Sequence, residues 1–253
     1  MFEQKQIIVN GLVLNYLMRS ANGDVSPIIV FLHGWRSSSA AWLPILPSFR
    51  GFRIYAFDFP GFGKSQVPPD TFDFDDYVKT IREAMRMLKI QSCILVGHSF
   101  GGRVAIALAA QYPETVQKLV LAGASGIRTR AGFKRIVAAC AHALKPLFSL
   151  PFFSLLRAPL YRAIGSEDYL ATPYLRTVFV RVVRYDVRPL LARVRAPALL
   201  VWGRKDSETP LSAGRIMERE IPGAKLVVLA RAGHMSFMDQ PKEFVSAVLD
   251  FIA

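Results

Sequence analysis

Short apolar runs alternate along this chain with segments whose apolar residues recur at the spacing of a helix. Gly11 separates the first two runs, which predicts an antiparallel hairpin. The predicted strands lie at 6–10, 12–18, 28–32, 53–57, 93–96, 116–122, 198–202 and 225–229. The predicted helices that accompany them lie at 40–47, 74–88, 101–111 and 240–251. Strands that alternate with helices are typical of a mostly parallel sheet covered on both faces, so an α/β protein with about eight strands is predicted.

The alternation is interrupted between Ala124 and Arg195, where the sequence is helical in character. Apolar residues with basic ones between them predict helices at 132–144, 152–164 and 174–185. Thr172 and Pro173 have the residue types of an N-cap and a first helical position, which supports the third of these helices. Three arginines are predicted to share one helical face: Arg181, Arg184 and Arg188.

A serine lies where the strand predicted at 93–96 turns into the next helix. The turn has the pattern G-x-S-x-G, with Gly97, Ser99 and Gly101. So sharp a turn needs neighbours without side chains, and the helix directs its first free N–H groups to the place where an oxyanion would form. Ser99 is therefore the candidate nucleophile. The pattern alone is loose, so the prediction depends on partners elsewhere in the chain.

A serine hydroxyl is a weak nucleophile until a base takes its proton. The chain has four histidines. His234 directly follows the last predicted strand, and open α/β sheets place their working residues in loops at the carboxyl ends of strands. His98 is next to Ser99 and is expected to point away from it. His33 opens a loop and His142 lies in the basic middle region, so His234 is the candidate base.

The base needs a carboxylate that fixes its tautomer. Asp206 follows the strand predicted at 198–202 and is the candidate acid. Glu208 is close enough in sequence to take the same role. Alternatively, Asp206 makes a loop turn or pairs with Arg204 or Lys205.

The chain resembles the α/β-hydrolase fold serine hydrolases over nearly all of its length, and the order nucleophile, acid, base is that of the family. Four further segments carry the resemblance: the oxyanion loop at His33-Gly34-Trp35, the D-x-P-G-x-G-x-S segment from Asp58 to Ser65, the acid loop from Gly203 to Pro210, and the histidine loop at Ala232-Gly233-His234. Relatives with aspartate at the nucleophile position are dehalogenases or epoxide hydrolases. Ser99 argues against both.

The resemblance implies a role for each site residue. Ser99 is the implied nucleophile, His234 the general base and Asp206 the orienting acid. The backbone N–H groups of Trp35 and Phe100 are the implied oxyanion hole. Candidates for the lining of the substrate pocket, some of which are equally well explained as core residues, are Gly34, Trp42, Phe62 and Phe237.

Other polar residues are expected to be structural. Asp58 and Ser65 are expected to hold their loop together, and Arg103 is expected to be structural. No cluster of His, Cys, Asp and Glu has the spacing of metal ligands, and no glycine-rich phosphate loop occurs, so no metal or cofactor is predicted.

The resemblance also implies that residues 124–195 form a helical lid inserted into a core domain of residues 1–123 and 196–253. This segment holds 13 Lys and Arg but 3 Asp and Glu, so it carries most of the net charge of +13. Three interpretations stay open: a solvated face, the steering of anionic substrates, or contact with an anionic membrane surface. Binding of nucleic acid is not predicted, because no recognisable binding motif accompanies the basic residues.

The predicted activity is hydrolysis of a small-molecule ester through an acyl-enzyme, with small to medium carboxylic esters or lactones as substrates. The alternative is a C–C bond hydrolase or a thioesterase that acts on anionic carbonyl compounds. A ligand-binding receptor without activity is a hypothesis of another class, and it predicts a defective triad. The two cysteines suggest no disulfide framework, and no leader or spanning segment is evident, so a cytoplasmic location is expected. The sequence does not indicate the oligomeric state.

Overall fold

The structure is a computed structural model and describes residues 2–20, 27–127 and 172–253. The strands are β1 Glu3–Val9, β2 Leu12–Arg19, β3 Ile28–Leu32, β4 Arg53–Phe57, β5 Cys93–His98, β6 Val116–Ala122, β7 Ala198–Gly203 and β8 Lys225–Leu229. In the described residues they form one eight-stranded sheet in the order β1-β2-β4-β3-β5-β6-β7-β8. The pairs β1–β2 and β2–β4 are antiparallel, and all other neighbours are parallel. The predicted mostly parallel sheet of about eight strands is confirmed.

Helices follow most of the strands. The α-helices of the described residues are α1 Phe74–Met87, α2 Phe100–Gln111, α3 Arg176–Arg184, α4 Leu211–Glu220, α5 Ser236–Asp239 and α6 Pro241–Ile252. Short 3₁₀ turns lie at Ser39–Trp42, Leu46–Ser48, Pro113–Thr115, Pro173–Leu175 and Arg188–Arg193. Within the described ranges, no helix is long and apolar enough to cross a membrane.

Three details differ from the sequence-based expectations. The helix predicted at 40–47 is wrong, because Pro44 and Pro47 cannot donate backbone hydrogen bonds and two 3₁₀ turns form instead. Pro173 begins a 3₁₀ turn, so the α-helix starts later than predicted. Helix α4 was not predicted. It contains Gly214, a poor helix former, and a Cβ there would lie 2.9 Å from the ring of Trp202.

The predicted common face of Arg181, Arg184 and Arg188 is also wrong. Helix α3 ends at Arg184, and the extended backbone of Tyr185 leads into a separate 3₁₀ turn that begins with Arg188. There the Arg188 guanidinium forms a two-pronged ion pair with Glu220 of α4, with a shortest distance of 2.6 Å. Its charge is therefore compensated locally, in contrast to the expectation of a shared basic face.

Alternate side chains of the strands bury into two separate layers. Val30 and Leu32 of β3 contribute to the core on the side of α1 and α2. Ile29 and Phe31 contribute to the core on the opposite side, which α6 covers. Because both faces are buried, β3 is apolar at every position. The sheet thus fixes where each strand ends, and with it the positions of the loops at its carboxyl edge.

The described end of the predicted lid, residues 172–195 (the cap segment), packs directly on the sheet domain. Leu175 lies against Gly61, where an added Cβ would be 2.7 Å from its side chain. Arg103 of α2 donates a 2.8 Å hydrogen bond to the carbonyl of Val182 in the last turn of α3, the end at which a helix favours positive charge. Burial lowers the pKa of Arg103 to about 10, so it stays charged at neutral pH. Arg103 therefore ties the cap segment to α2.

The helices predicted at 132–144 and 152–164 lie outside the described residues. The division into a core domain (1–123 and 196–253) and a lid (124–195) stays a prediction.

Asp58 organises the loop that follows β4. Its carboxylate accepts hydrogen bonds from the backbone N–H of Ser39 at 2.6 Å and of Lys64 at 2.9 Å, and from Nδ2 of Asn15 at 2.7 Å. The hydroxyl of Ser65 donates to the Asp58 carbonyl at 2.7 Å. These bonds join the loop to β2 and to the segment after β3, and they fit the expected structural role of Asp58 and Ser65.

The substitution Asp58→Ala tests this role. It leaves three donors without their acceptor at a buried position, so we expect a loss of about 3 kcal/mol in the free energy of unfolding. Urea denaturation followed by circular dichroism measures the loss. Asp70→Ala, which changes an exposed carboxylate nearby in sequence, is the matched control. Equal stability of the two variants would contradict the role.

Candidate active site

The loops that carry the candidate residues meet at one edge of the sheet. The segment with Gly34 follows β3, Ser99 follows β5, Asp206 follows β7 and His234 follows β8. These strands are parallel, so their carboxyl ends lie side by side. This edge is where open α/β sheets bind ligands.

Ser99 is held in a strained backbone conformation. Its φ of 50° and ψ of −113° lie outside the regions that a residue with a side chain prefers. Its N–H donates to the carbonyl of Ala122, and its own carbonyl accepts from the N–H groups of Arg103 and Ser125. A Cβ on Gly101 would clash with the carbonyl of Leu32 at the end of β3. The glycine therefore permits the close approach of α2 that produces the turn.

His33 fixes the loop next to Ser99. Its Nδ1 donates to the carbonyl of Gly34 at 2.7 Å, and its Nε2 accepts from the N–H of Phe59 at 3.0 Å. Burial lowers the pKa of His33 to about 4, so it is neutral at physiological pH and both ring nitrogens are used. A Cβ on Gly34 would lie 2.8 Å from Nδ1 of His98 and 3.3 Å from Cβ of Ser99. Only glycine brings this loop so close to Ser99.

The two residues predicted to supply the oxyanion hole flank Ser99. Phe100 is the first residue of α2, so its N–H is one of the donors that the helix itself cannot satisfy. Trp35 follows Gly34, and its ring packs on the ring of Phe100 at 5.3 Å. Phe62 and Phe179 of α3 also contact the Trp35 ring, at 4.7 Å and 5.3 Å. Trp35 and Phe179 are partly exposed and form an aromatic wall at the loop after β3, whereas Phe62 and Phe100 are buried behind Trp35.

Asp206 and His234 are joined by a hydrogen bond. Nδ1 of His234 donates to Oδ2 of Asp206 at 3.0 Å. Oδ1 of Asp206 accepts from the N–H groups of Glu208 at 2.9 Å and Thr209 at 2.8 Å. Burial opposes ionisation of Asp206, but the hydrogen bonds from His234 and Thr209 outweigh it and lower the pKa below its ordinary value. The carboxylate is therefore charged and fixes the His234 tautomer.

Two polar residues at this pair were not predicted to be part of the site. The hydroxyl of Thr209 lies 2.7 Å from Oδ2 of Asp206 and 2.9 Å from the carbonyl of Gly123. Nε2 of His98 donates to the carbonyl of His234 at 3.1 Å, and the two rings lie 4.7 Å apart. Burial, together with the charge of His234, lowers the pKa of His98 to about 3, so it stays neutral. The position of Thr209 three residues after Asp206 is the sequence feature that could have indicated that Thr209 binds the carboxylate.

The hydrogen bonds of the described residues join Asp206 to His234 but do not join His234 to Ser99. Nε2 of His234 lies 3.4 Å from Oε2 of Glu208. Glu208 is therefore at the opposite ring nitrogen from Asp206, and it is not placed to substitute for Asp206 as the orienting acid.

The sequence family of the chain agrees with this arrangement. A family-level pattern described as "Alpha/beta hydrolase family" matches residues 29–247. The chain belongs to the alpha/beta hydrolase family. It is 27% identical, over 89% of its length and 95% of the relative, to pimeloyl-[acyl-carrier protein] methyl ester esterase of Aeromonas hydrophila.

Other relatives of this alpha/beta hydrolase have different reactions. It is 26% identical to a 2-hydroxy-6-oxononadienedioate/2-hydroxy-6-oxononatrienedioate hydrolase of Comamonas testosteroni, over 94% of this chain and 92% of the relative. The enol-lactonase of Burkholderia xenovorans LB400 has the same fold, with a TM-score of 0.78 at 23% identity over 98% and 99% of the two chains.

Of the pocket candidates of this alpha/beta hydrolase, Gly34 lies against Ser99, and Phe62 is buried behind Trp35 in the core on the side of α1 and α2. Trp42 and Phe237 are fully buried and stack on each other at 4.2 Å in the core on the α6 side. In this structure these two rings therefore serve as core. Within the described part of the chain, no group of three or more His, Cys, Asp or Glu residues is placed to hold a metal ion.

The buried histidines predict how stability depends on pH. The pKa values of His33 and His98 are about 4 and 3 in the folded protein, below the ordinary 6.5. The unfolded chain thus binds more protons, so the free energy of unfolding falls as the pH is lowered from about 6.5 to 4, by up to about 1.4 kcal/mol per pH unit from each histidine. Urea denaturation at several pH values measures the slope.

The variant His98→Gln separates this effect from that of the carboxylates. It removes one titrating group, and its amide N–H can still donate to the carbonyl of His234. We expect its slope between pH 4 and 6.5 to be smaller by about one proton. An unchanged slope would show that His98 titrates normally in the folded protein.

Proposed function

We propose that the protein is a carboxylic ester hydrolase that uses Ser99, His234 and Asp206 as a catalytic triad. The observation that carries the proposal is the hydrogen bond between Asp206 and Nδ1 of His234, at the sheet edge where Ser99 occupies its strained turn. An aspartate that orients a histidine beside a serine on such a turn is the arrangement that activates a serine hydroxyl.

The proposed reaction has two steps. His234 takes the hydroxyl proton of Ser99 at Nε2 while Ser99 Oγ attacks the acyl carbonyl. The N–H groups of Trp35 and Phe100 stabilise the negative oxygen that forms, and His234 then gives its proton to the leaving alcohol. Water attacks the acyl-enzyme by the same route and regenerates Ser99. Throughout, Asp206 stabilises the charged form of His234.

Small to medium esters are the proposed substrates. Trp35 and Phe179, which are partly exposed and pack on each other at 5.3 Å, offer aromatic surface to an acyl or alcohol group. The similarity to the Aeromonas methyl ester esterase supports an ester as the substrate class. Lactones and thioesters present the same carbonyl to the same groups and are close alternatives.

Hydrolysis of a C–C bond in an anionic carbonyl compound is the second candidate. The relative from Comamonas testosteroni favours it, since its name gives a dicarboxylate as substrate. The basic charge of residues 124–195 also favours an anion, because a positive field raises the local concentration of anionic substrates.

A panel of p-nitrophenyl esters of increasing acyl length tests the esterase activity. We expect wild-type protein to hydrolyse the shorter members and Ser99→Ala to lose at least about 10³-fold in kcat. Ser246→Ala, at an exposed position on α6, is the matched control and should keep full activity. A fluorophosphonate should label wild-type protein at Ser99. If no ester is hydrolysed and Ser99 is not labelled, the proposal is wrong, and the receptor hypothesis becomes the better explanation.

The double variant Arg181→Gln, Arg184→Gln tests whether the cap segment steers anionic substrates. We expect kcat/KM for a hemisuccinate ester to fall severalfold at low salt, with little change for the neutral ester of the same alcohol. The difference should disappear at high ionic strength. An equal effect on both esters would mean that the arginines act on structure and do not steer.

A further inference from the structure

A carboxylate without a role in the proposed reaction touches the ring nitrogen that the reaction uses. Oε2 of Glu208 lies 3.4 Å from Nε2 of His234, while Asp206 holds Nδ1. The Glu208 side chain is 68% exposed and the His234 side chain 10%. The atom that must exchange protons with Ser99 thus has a water-facing carboxylate as its neighbour.

Hydrogen bonds fix the backbone of the loop that carries Glu208. The N–H of Glu208 donates to Oδ1 of Asp206 at 2.9 Å, and the carbonyl of Thr209 accepts from the indole of Trp202 at 2.8 Å. The distance from the Glu208 carboxylate to Nε2 therefore changes by rotation of the exposed side chain, with the loop in place.

The contact has opposite consequences for the two charge states of His234. In the imidazolium, Nδ1–H donates to Asp206 and the Glu208 carboxylate lies 3.4 Å from Nε2, so the positive charge lies between two negative ones. In the neutral ring with its proton on Nδ1, the lone pair of Nε2 faces the carboxylate oxygen. Only this neutral form accepts the proton of Ser99.

We propose that Glu208 is a positioning residue that competes with Ser99 for Nε2 of His234, holds the base in its protonated form at low pH, and thereby sets the lower pH limit of turnover. The inference rests on the proposed function. As the pH rises, His234 loses its proton, the attraction to Glu208 ends, and the side chain turns toward water. Glu208 then no longer competes with Ser99 for Nε2.

The other titratable groups around His234 in the described residues act differently. Asp206 is hydrogen-bonded at Nδ1 in either charge state. His98, at the end of β5, stays neutral above its low pKa of about 3. Asp239 of α5 accepts from the N–H of Gly233 at 2.7 Å and so braces the backbone of the loop. Among the residues that the structure describes, Glu208 is the carboxylate that lies at Nε2.

The first experiment follows His234 without relying on turnover. Protein labelled with ¹⁵N-histidine, in the Ser99→Ala background, is titrated by NMR with Glu208 present and with Glu208→Gln. We expect Glu208→Gln to lower the pKa of His234 by about 0.7 pH unit at low salt, and by less at 1 M salt. Glu114→Gln is the control, because Glu114 is similarly exposed, at 64%, and also ion-paired, but precedes β6 at the opposite edge of the sheet.

The second experiment measures the consequence for turnover. With Ser99 present, Glu208→Gln should move the acidic limb of kcat/KM for a neutral p-nitrophenyl ester down by the same amount. Relative to the plateau, this is about fivefold more activity on that limb. Activity at the alkaline plateau should change little, because Glu208 has left Nε2 there.

The two experiments distinguish failure of this inference from failure of the proposed function. An unchanged pKa of His234 in Glu208→Gln overturns the inference, whether or not esters are hydrolysed. A shifted pKa with an unmoved acidic limb overturns it as well, since Glu208 would then not control the base during turnover. If the wild-type protein hydrolyses no ester but the pKa of His234 shifts in Glu208→Gln, the proposed esterase function is wrong. The interaction of Glu208 with His234 is then still confirmed.

Discussion

The close backbone contact between the start of α2 and the ends of β3 and β5 is the constraint on which the candidate site depends. A side chain at Gly101 would strike the carbonyl of Leu32, so the helix can approach the sheet only through glycine. This approach forces Ser99 into a left-handed backbone conformation and directs the first N–H groups of α2 to the same edge. The energetic cost of that conformation is offset by the packing of two apolar layers around the sheet.

The histidines at this edge differ in hydrogen bonding and in charge state because their surroundings differ. His33 and His98 are buried. His33 uses both ring nitrogens, and His98 its Nε2, for hydrogen bonds that locate a neighbouring loop. Burial keeps both neutral, so neither brings a permanent charge to the site. His234 differs, since one nitrogen is bound to a buried carboxylate and the other reaches an exposed one. The two nitrogens of His234 thus face carboxylates of very different exposure.

The strand positions, the mostly parallel sheet and the meeting of the candidate loops at one edge could be predicted from the sequence. Each motif follows an apolar run, and parallel strands bring such motifs to one edge. The short helices could not be predicted. Pro44 and Pro47 turned a predicted helix into 3₁₀ turns, and the packing of Gly214 on Trp202 favoured a helix that its composition disfavours. Contacts between side chains far apart in sequence, such as the ion pair of Arg188 with Glu220, could not be predicted either. Such contacts depend on tertiary geometry that periodicity does not encode.

The attachment of the cap segment bears on how such a protein could change its substrates during evolution. Leu175 fits the space left by Gly61, and the charge of Arg103 is satisfied by a carbonyl of α3. A cap segment transplanted from a relative would therefore leave a buried cation unpaired unless it brought an equivalent helix end. Diversification is thus easiest through single substitutions on the aromatic wall, and wholesale exchange of the segment would require compensating changes in the sheet domain.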